Sequence, residues 1–116
     1  MIAVLFEVIP AEDQLSTYLD TAAALVPTLE STDGFISIER FRSLKHPEKF
    51  LSLSFWRDEQ AVAAWRNTEV HREAQSMGRG GVFRDYRLRV AEVMRDYGLH
   101  EREQAPADSR TRHKHA

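Results

Sequence analysis

Residues 2–9 carry Ile2, Ala3, Val4, Leu5, Phe6, Val8 and Ile9 with Glu7 as the one charged interruption, and Pro10 follows. Large and β-branched apolar residues halted by a residue that cannot donate to a ladder predict a strand there. From Ala11 the apolar period lengthens to that of a helix: Leu15, Leu19, Ala22 and Val26 form one stripe, widened by Tyr18, Leu25 and Leu29. Pro27 has no N–H to bond Ala23, so a kink or restart is expected at it. Ser31-Thr32-Asp33-Gly34 reads as a turn. Alternation returns over 35–44, with Ile36, Ile38 and Arg40 on one face and Phe35, Ser37, Glu39 and Phe41 on the other. A polar loop, Lys45-His46-Pro47-Glu48-Lys49, puts His46 at a tip, and renewed alternation over 50–56 predicts an antiparallel hairpin.

Asp58 stands where a strand-to-helix turn needs an N-cap, and Glu59 adds favourable charge to the first turn, so a helix is expected from about Asp58. Its apolar phase, Val62 and Trp65, is not continued at Glu69, and a second phase, Val70, Ala74 and Met77, is shifted by one residue. The shift predicts a break at Asn67 and Thr68, with Thr68 capping a fresh turn whose third residue is His71. Gly78-Arg79-Gly80-Gly81 then reads as a flexible connection into a long last strand over 83–94. These glycines follow a helix and precede a strand, the reverse of the order that sets phosphate on a helix N-terminus.

The order β, α, β, β, α, β is that of the ferredoxin-like α+β fold, an antiparallel sheet with helices on one face. The strands are apolar on both sides, with Leu51, Leu53 and Phe55 opposite Phe50 and Trp56, which predicts that the second sheet face is covered too. A second copy of the chain is the natural cover, giving a homodimer in the form of a dimeric α+β barrel with one pocket per subunit.

At 116 residues the chain is one domain, expected over 1–98, followed by a polar tail over 99–116 whose Arg112-His113-Lys114-His115 run is a weak metal or anion site at most. A net charge of -2 argues against nucleic acid as the main partner. The absence of cysteine removes thiolate catalysis and disulfides and suits a reducing compartment, the cytoplasm by default. No segment is apolar for the roughly 20 residues needed to span a bilayer, and the N-terminal run has no basic start or cleavage site of a signal peptide.

Trp65, Asn67 and His71 fall within seven residues, an aromatic ring, an amide and an imidazole that together suit a pocket wall. The positive end of a helix dipole disfavours imidazolium and would hold His71 neutral, able to take a proton, donate a hydrogen bond or ligate a metal. The plainer alternatives are core packing for Trp65, a helix terminator for Asn67, and the surface for His71 and Arg40. Glu7, Glu39 and Glu92 lie on different strands and form an acid group only if the strands' phases bring them together. Arg84, Arg87, Arg89 and Arg95 suit solvent or carboxylate partners better than nucleic acid.

Four features together resemble the antibiotic biosynthesis monooxygenase superfamily of dimeric α+β barrels: the strand opening at the N-terminus, the turn Asp33-Gly34-Phe35-Ile36-Ser37-Ile38-Glu39, the run Ser52-Leu53-Ser54-Phe55-Trp56-Arg57-Asp58, and the helix Ala63-Ala64-Trp65-Arg66-Asn67 leading to His71. The resemblance covers about residues 1–98 and implies a small-molecule substrate, aromatic or quinone-like, oxygenated without an organic cofactor. It implies His71 as base or hydrogen-bond donor, Arg40 as stabiliser of a developing anion if its face points inward, and Trp65, Phe83 and Tyr86 as walls. Haem-degrading members of the same barrel imply an alternative in which Trp65 is a pocket tryptophan and His71 an iron ligand. That pattern also needs an asparagine in the first strand, which residues 2–9 lack, and a later histidine near where Gln75 stands. A third alternative is a dimer that binds a small molecule without turnover.

Overall fold

A computed structural model describes residues 1–109, with 69, 70 and 77–79 described by backbone alone, so the Arg112 to His115 run lies outside the described residues. The chain runs β1 (Ile2–Pro10), α1 (Leu15–Glu30), β2 (Phe35–Arg42), β3 (Phe50–Trp56), α2 (Glu59–Arg66), α3 (Glu69–Met77), a wide turn over Gly78–Val82, and β4 (Phe83–Glu92). The four strands form one antiparallel sheet in the order β2-β3-β1-β4. This is the expected α+β, ferredoxin-like arrangement with the helices on one face. No helix among the described residues is long and apolar enough to cross a membrane.

Register assigns the two faces. Val4 pairs with Ser54 and Val90, and Phe6 with Ser52 and Leu88, so these residues share the helix side, while Leu5, Leu51, Leu53 and Phe55 share the other. On β2 the expected alternation fails at one point. The pairing slips between Phe35 and Ser37, which leaves Ile36 extra and 53% exposed. Phe35 thereby crosses to the face of Ile38 and meets Trp56 edge-on at 5.2 Å. A bulge inserts one residue and inverts the phase before it.

α1 corrects two further expectations. It starts at Leu15 rather than Ala11, and its inward stripe is Tyr18, Ala22, Leu25 and Leu29, with Leu15 and Leu19 turned outward. It also runs through Pro27 without a break. Ala23, the residue deprived of a hydrogen bond, is exposed, so its carbonyl can be satisfied by water, and Pro27 O still accepts from the Ser31 N–H at 3.2 Å. β4 ends at Glu92, two residues short of the expected span.

A tight constraint joins β2 to α2. Gly34 has φ +86°, and a side-chain carbon there would lie 2.6 Å from Ala61 Cβ. Its carbonyl accepts from the Arg57 N–H at 2.7 Å, and Asp58 caps α2 by accepting from Ala61 N–H at 2.9 Å. Arg57 ties the corner by a paired contact to Asp33 at 3.2 Å and a bond to Asp58 at 3.1 Å. Arg57 and the Ala61 amide hold both carboxyl groups below the usual carboxylate range, but the group is exposed and adds little stability.

Candidate functional site

The core is two clusters with a space between them. Leu29, Trp56, Ala61, Val62 and Trp65 form one, and Val8, Tyr18, Ala22 and Phe50 the other. A cavity of about 240 Å³ is lined from both, by Leu25, Leu29, Trp56, Val62 and Trp65 on one side and Phe6, Tyr18, Ala22, Val82 and Phe83 on the other. Helix-side positions of the sheet, Val4, Ile38, Arg40, Ser52, Ser54, Leu88 and Val90, form its floor. Ser54 is buried and satisfied, its Oγ accepting from Trp56 Nε1 at 2.9 Å.

The restart after α2 builds the first end of this cavity. Thr68 Oγ1 accepts from the His71 N–H at 3.2 Å, as a capping residue does for the third residue of its helix, and Thr68 O accepts from Arg72 N–H at 3.1 Å. The imidazole of His71 then lies on the cavity wall, partly buried, 5.3 Å edge-on from the Trp65 ring. Burial first, and the neighbouring Arg66 and Arg72 charges second, push its pKa below the ordinary 6.5. His71 is therefore a neutral imidazole near pH 7.

At the second end, Arg40 reaches in from β2. Its Nε donates to the Tyr18 hydroxyl at 3.1 Å and its Cζ stands 5.5 Å from the centre of that ring. Tyr18 itself packs edge-on to Phe83 at 5.7 Å and tilted to Phe50 at 6.2 Å. Arg40 is partly buried, and its β2 face is the inward one.

Four of the six residues singled out from sequence thus come together on one cavity: His71, Trp65, Arg40 and Phe83. Two do not line it. Asn67 is exposed and turned outward, its Nδ2 donating to Ala63 O at 2.8 Å and its Oδ1 accepting from Arg72 at 2.7 Å. The helix end it closes needs that amide more than the wall does. Tyr86 is 56% exposed and stacks on Phe6 at 5.6 Å, because β4 is an edge strand that the helices leave uncovered. The glutamates stay apart: Glu7 and Glu39 are on the outer face, separated by β3, and Glu92 pairs with Ile2 on the inner one. Glu7 meets Arg89 at 3.5 Å. Tyr18 and Ser52 were missed as site residues, although Tyr18 sits in helical phase with Ala22, Leu25 and Leu29 and so carried its own signal.

Haem fits these residues poorly. The cavity of about 240 Å³ is below the roughly 300–1,000 Å³ of pockets that enclose drug-sized ligands, so it would not enclose a porphyrin. Gln75, on the wall near where the haem-degrading pattern has a histidine, offers an amide rather than an imidazole.

The family model for antibiotic biosynthesis monooxygenase matches residues 1–77. A Pyricularia oryzae protein named jasmonate monooxygenase ABM is 50% identical over 93 residues, which are 80% of this chain and 43% of that protein. The chain therefore spans less than half the length of that relative. YqjZ of Bacillus subtilis is 29% identical over 93 residues, 80% of this chain and 79% of its own. Among solved structures, Rv0793 from Mycobacterium tuberculosis matches with a TM-score of 0.75 at 15% identity, over 84% of this chain and 98% of that one. At such identity the likeness speaks for the fold alone.

Proposed function

The chain belongs to the antibiotic biosynthesis monooxygenase family, and from that membership we propose that it oxygenates a small aromatic or quinone-like molecule held between helices and sheet, without an organic cofactor. The observation that carries the reading is His71, a titratable group kept neutral on a largely apolar wall, where it can accept a proton near pH 7. Loss of that proton leaves an electron-rich substrate anion. The anion passes one electron to O2, the two radicals join as a peroxide that takes the proton back from His71, and loss of water from this hydroperoxide leaves a carbonyl. One oxygen atom stays on the product, the other leaves as water, and the substrate supplies every electron. Trp56, Trp65, Phe6 and Phe83 would exclude water while the anion exists.

Oxygen uptake with a panel of quinols, and with jasmonate because the P. oryzae relative is named for it, tests this reading. His71→Ala is expected to lower kcat by about 10²–10⁴-fold. An unchanged kcat removes His71 as the base, and binding without oxygen uptake by any of these molecules replaces the enzyme with a passive binder. A homodimer belongs to the same proposal, since Leu5, Leu51, Leu53 and Phe55 leave a partly exposed apolar patch on the outer sheet face. Sedimentation at micromolar concentration checks it, and a monomer there would refute the dimer.

A further inference from the structure

Resting on the oxygenase reading, we propose that Ser54 is a further catalytic residue, whose hydroxyl, polarised by the Trp56 N–H behind it, donates a hydrogen bond to the substrate oxygen that gains negative charge when His71 removes the proton.

Ser54 is the one buried polar side chain among the described residues, and it lines the cavity floor. A hydroxyl has one proton to give and two lone pairs to accept with. The Trp56 Nε1–H, 2.9 Å away, fills one lone pair, and an indole N–H, being a donor only, cannot take the proton in return. The Trp56 bond thus satisfies the serine oxygen and leaves its proton over. No acceptor for that proton stands among the described residues, and at 6% exposure Ser54 has little recourse to bulk water. The acceptors left to it are those that enter the cavity. Trp56 also makes it a better donor, since hydrogen bonds in a chain polarise one another where the surroundings are apolar.

Its place on the sheet is at the His71 end. The cross-strand neighbours of Ser54, Val4 and Ile38, pack against the cluster of Trp56 and Trp65, and the Trp65 ring meets His71 edge-on at 5.3 Å. Arg40, by contrast, is fastened to Tyr18 in the other cluster. A charge that forms beside His71 therefore forms at the end of the cavity that holds Ser54. The wall there, Val4, Leu25, Ile38 and Val62, is hydrocarbon, and a donor already in place among such groups stabilises an anion more than the same donor would in water.

The probe is 2,6-difluorophenol, which ionises near neutral pH and whose fluorine resonance reports its protonation state, with 2,6-difluorotoluene as the isostere that lacks the oxygen. Fluorine NMR titrations of the full chain give the affinity for each and, over a pH series, the pKa of the bound phenol. Ser54→Ala is expected to raise that bound pKa by about one unit over wild type, a roughly tenfold loss of phenolate binding, with toluene binding held within about twofold. Ser54→Thr should restore most of the loss, and Arg40→Gln should leave the bound pKa in place. Trp56→Phe, which keeps the hydroxyl and removes the N–H behind it, should raise the bound pKa by less, and it carries the test if Ser54→Ala does not fold. An unchanged bound pKa in the variant that carries the test, a rise in Arg40→Gln as large as in that variant, an equal loss of phenol and toluene binding, or no binding of the phenol at millimolar concentration overturns the proposal. Oxygen uptake with the quinol panel is recorded on the same proteins, where Ser54→Ala is expected to lower kcat about 10²-fold with little change in KM. Uptake whose kcat ignores Ser54 overturns the role of the serine and keeps the oxygenase, and a Ser54-dependent bound pKa without uptake keeps the donor site and removes the oxygenase.

Discussion

The two ends of the cavity are made of the same material and hold opposite kinds of polar group. At one, His71 stands edge-on to Trp65, which clusters with Leu29, Trp56 and Val62; at the other, Val8, Ala22, Phe50 and Phe83 pack with Tyr18, which holds Arg40. Both groups lose water to aromatic walls. Histidine answers by releasing its proton, because its ordinary pKa of 6.5 lies close to neutrality. Arginine has no such route and keeps its charge, held against a hydroxyl and a ring face. The difference teaches that an apolar wall does not dictate whether a polar group on it is charged. The group's own proton affinity decides, and one cavity can therefore hold a neutral imidazole and a charged guanidinium together.

The largest expected effect comes from breaking the histidine end outright. Trp56, 2% exposed and packed on both Phe35 and Trp65, should cost about 3–5 kcal/mol when changed to Ala. Urea unfolding measures this, and a loss below about 1 kcal/mol would mean that Trp56 does not bear that end of the core. Gly34→Ala attacks the same end indirectly. Its left-handed backbone and the 2.6 Å approach to Ala61 force α2, and with it Trp65, to move. A loss of about 1–3 kcal/mol is expected, with red-shifted tryptophan emission, while the Tyr18 and Arg40 contacts stay in place.

Tyr18→Phe perturbs the arginine end alone. Removing one hydrogen bond from a partly buried guanidinium should lower stability by about 0.5–1.5 kcal/mol with no change in tryptophan emission, since both tryptophans belong to the other cluster. The smallest effect sharpens the comparison through pH. The folded pKa of His71 is below 6.5, so between the two values the unfolded chain binds the extra proton and stability rises with pH. The stability is complete above 6.5 and is lost as pH falls through the folded value. His71→Gln should flatten that window, whereas Arg40→Gln should leave its slope unchanged. Unfolding free energies at several pH values decide it, and a slope that persists in His71→Gln assigns it elsewhere.

Much of the site was legible because its determinants are local. Asp58 reaches Ala61 across three residues, and Thr68 reaches His71 across three, so a cap and a phase shift in the chain were enough to find both. Less legible are the residues whose direction depends on distant partners. Tyr18 and Arg40 are 22 positions apart and meet only when α1 docks on β2. Asn67 shares the stretch of Trp65 and His71, yet turns away because Arg72 and the last carbonyls of α2 take its amide. Tyr86 follows the alternation of β4 onto the inner face but meets little cover there, since nothing in alternation says that β4 is an edge.

By itself the sequence determined the order of strands and helices, the corner at Gly34, the helix restart at Thr68 and the family to which the chain belongs. Each rests on alternation, caps or turn chemistry acting over a few residues, and such interactions survive without knowledge of the rest of the chain. Only the tertiary structure decided that Phe35 joins the core through a bulge, that α1 turns Tyr18 inward in place of Leu15 and Leu19, and that the core divides around a cavity. Those outcomes depend on which face of each element is covered when the sheet and helices meet. That is a property of summed packing and of register, where a slip of one residue exchanges the inside of a strand for the outside.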